Sequence, residues 1–102
     1  MKFYRYDIDY YSPDPEVCLK EFVSEKETPK GYWIRPLVGG YFGIREKWIP
    51  KVSRKRYAYP TKEEALESFI LRKKRQIQYL KNQLYFAEET KRIAEEMRNK
   101  ND

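Results

Sequence analysis

A chain of 102 residues with a formal net charge of +6 has room for one modest core, and none for an enzyme-sized cavity beside it. It has no histidine and a single cysteine, Cys18, which excludes Ser-His-Asp and Cys-His nucleophilic sites, histidine-bearing zinc sites, clustered thiolates and an internal disulfide. Ten Tyr, five Phe and two Trp dominate the apolar complement, so the core should be aromatic, with Tyr hydroxyls that reach water or a partner.

Residues 3–11 alternate: Tyr4, Tyr6, Ile8 and Tyr10 fall on one face and Arg5, Asp7 and Asp9 on the other, the period of a half-buried strand with a wet charged face. Ser12-Pro-Asp-Pro-Glu16 interrupts it. Residues 17–28 are readable as a short helix carrying Cys18, Leu19, Phe22 and Val23. The turn signal Thr28-Pro-Lys-Gly31 favours a strand over about 18–28, because a hairpin needs one on its near side. Tyr32 to Val38 gives the next strand. Val38-Gly-Gly-Tyr-Phe-Gly43 reads as a second turn, and Arg45–Ile49 as a short edge strand stopped by Pro50. Tyr57-Ala-Tyr59 is expected as a last short strand.

From Thr61 the pattern changes. Thr61 and Glu64 have the spacing of a capping box, Glu63 and Glu64 suit a helix N-terminus, and neither Gly nor Pro follows. One helix is predicted over 61–99, followed by a polar tail. The fold class is therefore α+β: an antiparallel meander of four to five strands, then one long C-terminal helix, in a single domain. Leu66, Ile70, Ile77, Leu80, Leu84 and Ala87 form an apolar row, with Lys73 its one polar member; the row then drifts to Phe86, Ile93 and Met97. Glu88–Arg92 and Glu96–Lys100 are spaced as i,i+4 ion pairs. Such a helix spans roughly 57 Å, against about 20 Å for a strand. Either it breaks near Lys81-Asn82 and folds back, or its second half packs on another copy. The weakness of Asn82 as a breaker favours a homo-oligomer, dimer or higher, through Leu80, Leu84, Phe86, Ile93 and Met97. Lys91 and Arg98 interrupt the later seam, which disfavours a long isolated coiled coil.

Charge is unevenly spread. Residues 1–30 hold five basic and seven acidic side chains, residues 31–60 seven and one, and residues 61–102 ten and eight. A basic centre suits an anionic partner or association between copies. Two clusters stand out, Arg54-Lys55-Arg56 and the helical Arg72-Lys-Lys-Arg75, and no acid lies between Ser68 and Ala87. Guanidinium groups beside aromatic rings are what a nucleotide requires, forks for phosphate and a ring for the base. Candidate phosphate ligands are Arg54, Lys55, Arg56, Arg72 and Arg75, with Trp33, Trp48 and Tyr57 as stacking rings. The alternative is a solvated basic face over core aromatics. Asp7 and Asp9 read more readily as a wet strand face than as a Mg²⁺ site. The Gly39-Gly40-Tyr-Phe-Gly43 run lacks the Lys and the following helix of a phosphate-binding loop. No metal, cofactor or catalysis is expected.

The phrases Glu27-Thr-Pro-Lys-Gly-Tyr-Trp-Ile34, Lys55-Arg-Tyr-Ala-Tyr-Pro-Thr-Lys-Glu-Glu-Ala-Leu-Glu-Ser-Phe69 and Arg72-Lys-Lys-Arg-Gln76 resemble a group of small phage-encoded proteins of unassigned role. By layout the chain also resembles the phage anti-Thoeris sponge proteins. That resemblance implies a non-enzymatic anti-defence protein that sequesters a cyclic ADP-ribose-type or cyclic-oligonucleotide immune signal between subunits. It also implies a place in the bacterial cytoplasm. No ligand residue matches position by position. Tyr59-Pro-Thr-Lys-Glu-Glu-Ala65 is loosely similar to the start of the helix in the three-stranded DNA-binding domain of phage integrases, which implies DNA as an alternative partner. A protein-directed inhibitor of the anti-CRISPR kind is a third reading, although net positive charge argues against nucleic-acid mimicry. No apolar run approaches 18 residues and no leader-like segment is visible, so no membrane partner is expected.

Overall fold

The computed structural model describes residues 1–9, 11–37, 46–53 and 55–100. Tyr10, the turn expected over 38–43, Arg45, Arg54 and the last two residues lie outside the described residues. The chain divides into two compact units, Met1–Phe69 and Ile70–Asp102.

The first unit is a four-stranded antiparallel meander with spatial order β1-β2-β3-β4. The strands are β1 (Lys2–Ile8), β2 (Val17–Glu27), β3 (Gly31–Pro36) and β4 (Lys47–Pro50). The helix alternative for residues 17–28 is therefore set aside. β2 runs for 11 residues and is hydrogen-bonded along both edges, to β1 and to β3. Its register with β3 shifts between Ser24 and Lys26, so one extra residue is accommodated there. The predicted strand 57–59 contracts to one bridge. Tyr4 and Tyr59 exchange both backbone hydrogen bonds, at 2.7 and 2.9 Å, on the outer edge of β1.

Phe3, Phe22, Ile34, Ile49 and Ala58 form the core, with Tyr32 and Tyr57 packed against it. Phe3 and Phe22 are cross-strand partners. Phe3 also meets Tyr32 at a ring separation of 5.2 Å, and Phe22 meets Tyr57 edge-on at 5.6 Å. The aromatic core expected from composition is thus present.

The wet face expected of β1 is a correction. Strand residues two apart share a face, so Arg5 and Asp7 lie on the side of Phe3, which is the core side. The guanidinium of Arg5 is 4.2 Å from the centre of the Tyr57 ring and donates to the Tyr57 carbonyl at 2.8 Å. Asp7 accepts from Arg5 at 2.9 Å and lies 3.3 Å from Lys20, and all three side chains are largely covered. Alternation located the strand but could not say which face is interior, because Phe3 alone distinguishes the two.

The helix α1 runs unbroken from Lys62 to Lys100, so it does not fold back at Lys81-Asn82. Its first turn is capped by half of the expected box: Thr61 Oγ1 accepts from the Glu64 N–H at 3.2 Å. Glu64 does not reach back to the Thr61 N–H; its carboxylate accepts from the Thr61 hydroxyl at 3.0 Å. Ala65 and Phe69 are buried and belong to the first unit. In the second unit Arg92 pairs with Glu89 and Glu96, each at 2.8 Å, and Lys91 pairs with Glu95. Arg92 therefore uses Glu89, not the predicted Glu88, as its upstream partner. No described helix is long and apolar enough to cross a membrane.

Candidate functional site

The turn between β2 and β3 is held by Thr28. Its backbone N–H donates to the Gly31 carbonyl at 2.8 Å, and its hydroxyl accepts from the Gly31 N–H at 3.0 Å. Past the end of β4, the Lys51 N–H donates to the Lys30 carbonyl at 2.9 Å. Two Pro-Lys pairs, Pro29-Lys30 and Pro50-Lys51, are thereby brought side by side, because Gly31 is the register partner of Pro50.

Trp48 is fixed beside them. Its Nε1 donates to Thr28 Oγ1 at 3.3 Å, and its ring lies against Gly31, where an added Cβ would come 2.6 Å from ring atoms Cε2 and Cζ2. The ring nonetheless stays 42 % exposed. It opens on a cavity of about 400 Å³ lined by Pro29, Lys30, Trp48, Pro50, Lys51 and Val52. Lys51 lies 5.2 Å from the centre of the Tyr32 ring and 3.6 Å from Glu27.

Trp33 is the direct cross-strand partner of Trp48, so two expected stacking rings share one face of the sheet. Trp33 borders a second cavity, of about 450 Å³, with Glu25, Lys26 and Glu46. A hydrogen bond and the charge of Glu25 push the Glu46 carboxyl above its ordinary value. Glu25 is itself paired with Arg35 at 2.7 Å. Acids make this second cavity the less suitable of the two for phosphate.

The third expected ring, Tyr57, is a packing residue of the core, and the cations of Arg5 and Lys47 lie 4.2 and 4.0 Å from its centre. The Arg56 guanidinium donates to the Ser53 carbonyl at 2.9 Å and to the Lys51 carbonyl, and faces the Tyr59 ring at 6.0 Å. It holds the segment that leads from β4 to the helix. Lys55 is exposed, and Arg54 lies outside the described residues. Arg72 and Arg75 belong to the second unit, half-buried and exposed respectively. Leu80, Leu84, Phe86, Ile93 and Met97, the expected assembly residues, are 47–67 % exposed.

Sequence reasoning missed Lys30, Lys51 and Val52 as neighbours of Trp48. The signal was present in the paired Pro-Lys dipeptides, but only the β3–β4 register makes them adjacent. Among the described residues no group of three or more acidic or Cys side chains could hold a metal. The comparisons with models of protein families, with curated proteins and with solved structures returned no match.

Proposed function

We propose that this protein is a non-catalytic binder of a phosphate-bearing nucleotide, whose base stacks on Trp48 while Lys30 and Lys51 meet the phosphates. The observation that carries this reading is the fixing of Trp48: half-exposed, hydrogen-bonded to Thr28 and lying on Gly31, beside a cavity lined by Pro29, Pro50, Lys30 and Lys51. Stacking a base on a ring that is already immobilised costs little further ordering, and aromatic rings beside cations are the usual means of holding nucleotides. The resemblance to anti-Thoeris sponges supports a narrower version. In it, a phage protein sequesters a cyclic ADP-ribose-type or cyclic-oligonucleotide signal in the host cytoplasm and holds it intact. Lys55, Arg72 and Arg75, with Arg54, are further phosphate candidates in this version.

The test is a fluorescence titration in a Trp33→Phe background, so that Trp48 alone reports, with ADP-ribose derivatives, cyclic dinucleotides and duplex DNA. The expected result is saturable quenching by one of the small ligands. That quenching should weaken at least tenfold in Lys30→Ala/Lys51→Ala, and chromatography should recover the ligand unchanged. Binding only to duplex DNA, with a steep salt dependence, would overturn the reading. Conversion of the ligand to a product would overturn its non-catalytic part.

A further inference from the structure

The helix from Ile70 onward belongs to a unit of its own, and none of its described residues is buried. Ile77, Leu80 and Leu84 keep 52, 52 and 59 % of their surface exposed. Helices owe most of their stability to packing an apolar face, so this row requires a cover. We propose that the cover is the same segment of a second copy, running antiparallel.

Charge decides the direction. From Ile70 the seam steps by three and four through Lys73, Ile77, Leu80 and Leu84 to Ala87. Continued at that spacing it reaches Lys91 and Arg98. In a parallel pair each seam residue faces its own copy, which stacks Lys73, Lys91 and Arg98 each against a like charge. The flanking positions would bring Gln76 beside Lys81 and Gln83 beside Glu88, so no opposite charges meet.

Reversing one helix changes this. With Leu80 set against Leu84 of the partner subunit, Ile77 meets Ala87 of the partner subunit. Lys74 then meets Glu88 of the partner subunit, and symmetry gives that pair twice. Like-charge contacts remain in two places: Lys73 with Lys91 of the partner subunit, where Lys91 is already paired with Glu95 on its own helix at 3.5 Å, and Lys81 with Lys81 of the partner subunit at the two-fold axis. The parallel pair has like charges in three layers and no opposite pair. The acid-free block 72–81 of one copy lies along residues 83–92 of the other, which hold Glu88 and Glu89. The arrangement holds whatever ligand the sheet unit takes.

Two measurements on the full chain test it. Sedimentation equilibrium should give a dimer. Lys74→Glu or Glu88→Lys alone should raise its dissociation constant about threefold to tenfold, the range of exposed ion pairs made twice, and Lys74→Glu/Glu88→Lys should restore it. A spin label at Asn99→Cys, in a Cys18→Ser background, should report a separation of roughly 50 Å between copies, against about 20 Å for a parallel pair. A monomer at 100 µM on the order of typical assay limits, a short Asn99 distance, or single charge swaps without effect would each overturn the proposal. A monomer that is captured by some other protein counts among these failures.

Discussion

Gly31 is the residue on which the candidate site depends most. It pairs with Pro50, closes the Thr28 turn and lies under the Trp48 ring, and a Cβ there would press on both that ring and the Ile49 carbonyl. The ring edge could swing away, but the backbone oxygen belongs to the β3–β4 ladder and cannot yield cheaply. Gly31→Ala should therefore lower stability by about 1–3 kcal/mol, the usual cost of overpacking, and shift the Trp48 emission toward longer wavelength as the ring is displaced into water. A denaturant melt of the variant with unchanged midpoint and unchanged emission would refute this. Asp7 makes a second prediction. Desolvation raises its carboxyl pKa, but hydrogen bonds and charge from Arg5 and Lys20 together outweigh burial and hold it below the ordinary value. A carboxyl depressed in the folded state stabilises fully above its unfolded pKa, and that contribution is lost as pH falls through the folded one. Stability should thus decline on acidification below about pH 4, and Asp7→Asn should flatten the decline. An unchanged acid limb in Asp7→Asn would show that other carboxyls govern it.

Among the elements, the helix and the four strands were legible in the sequence because each rests on local signals. Alternation, Pro-Gly turns and a Thr-x-x-Glu start need no knowledge of neighbours. What escaped was what depends on non-local register. The interior side of β1, the reduction of residues 57–59 to one bridge, and the meeting of Lys30 with Lys51 are all settled by strands far apart in sequence. By their company in the chain, Tyr57 and Arg56 look like ligand groups. Folding gives them backbone carbonyls, cations and the Phe22 ring as partners. The start of α1 offers a test at this scale. Thr61→Ala removes the hydroxyl that caps the Glu64 N–H, which should cost about 1 kcal/mol, whereas Thr61→Ser should cost little. Thermal melts of the two variants check this, and equal losses in both would point to the Thr61 methyl rather than its hydroxyl.

At the level of the whole molecule the two units carry different optical labels. Both tryptophans sit on β3 and β4, and most of the 39-residue helix lies in the second unit. Indole emission therefore comes from the first unit, while ellipticity at 222 nm is dominated by the helix. Followed in one sample, the two signals separate the melting of the sheet from that of the helix. If copies associate through the helix, dilution lowers the ellipticity transition. A single chain thus carries an internal reference against which its own assembly can be read, with no dye attached.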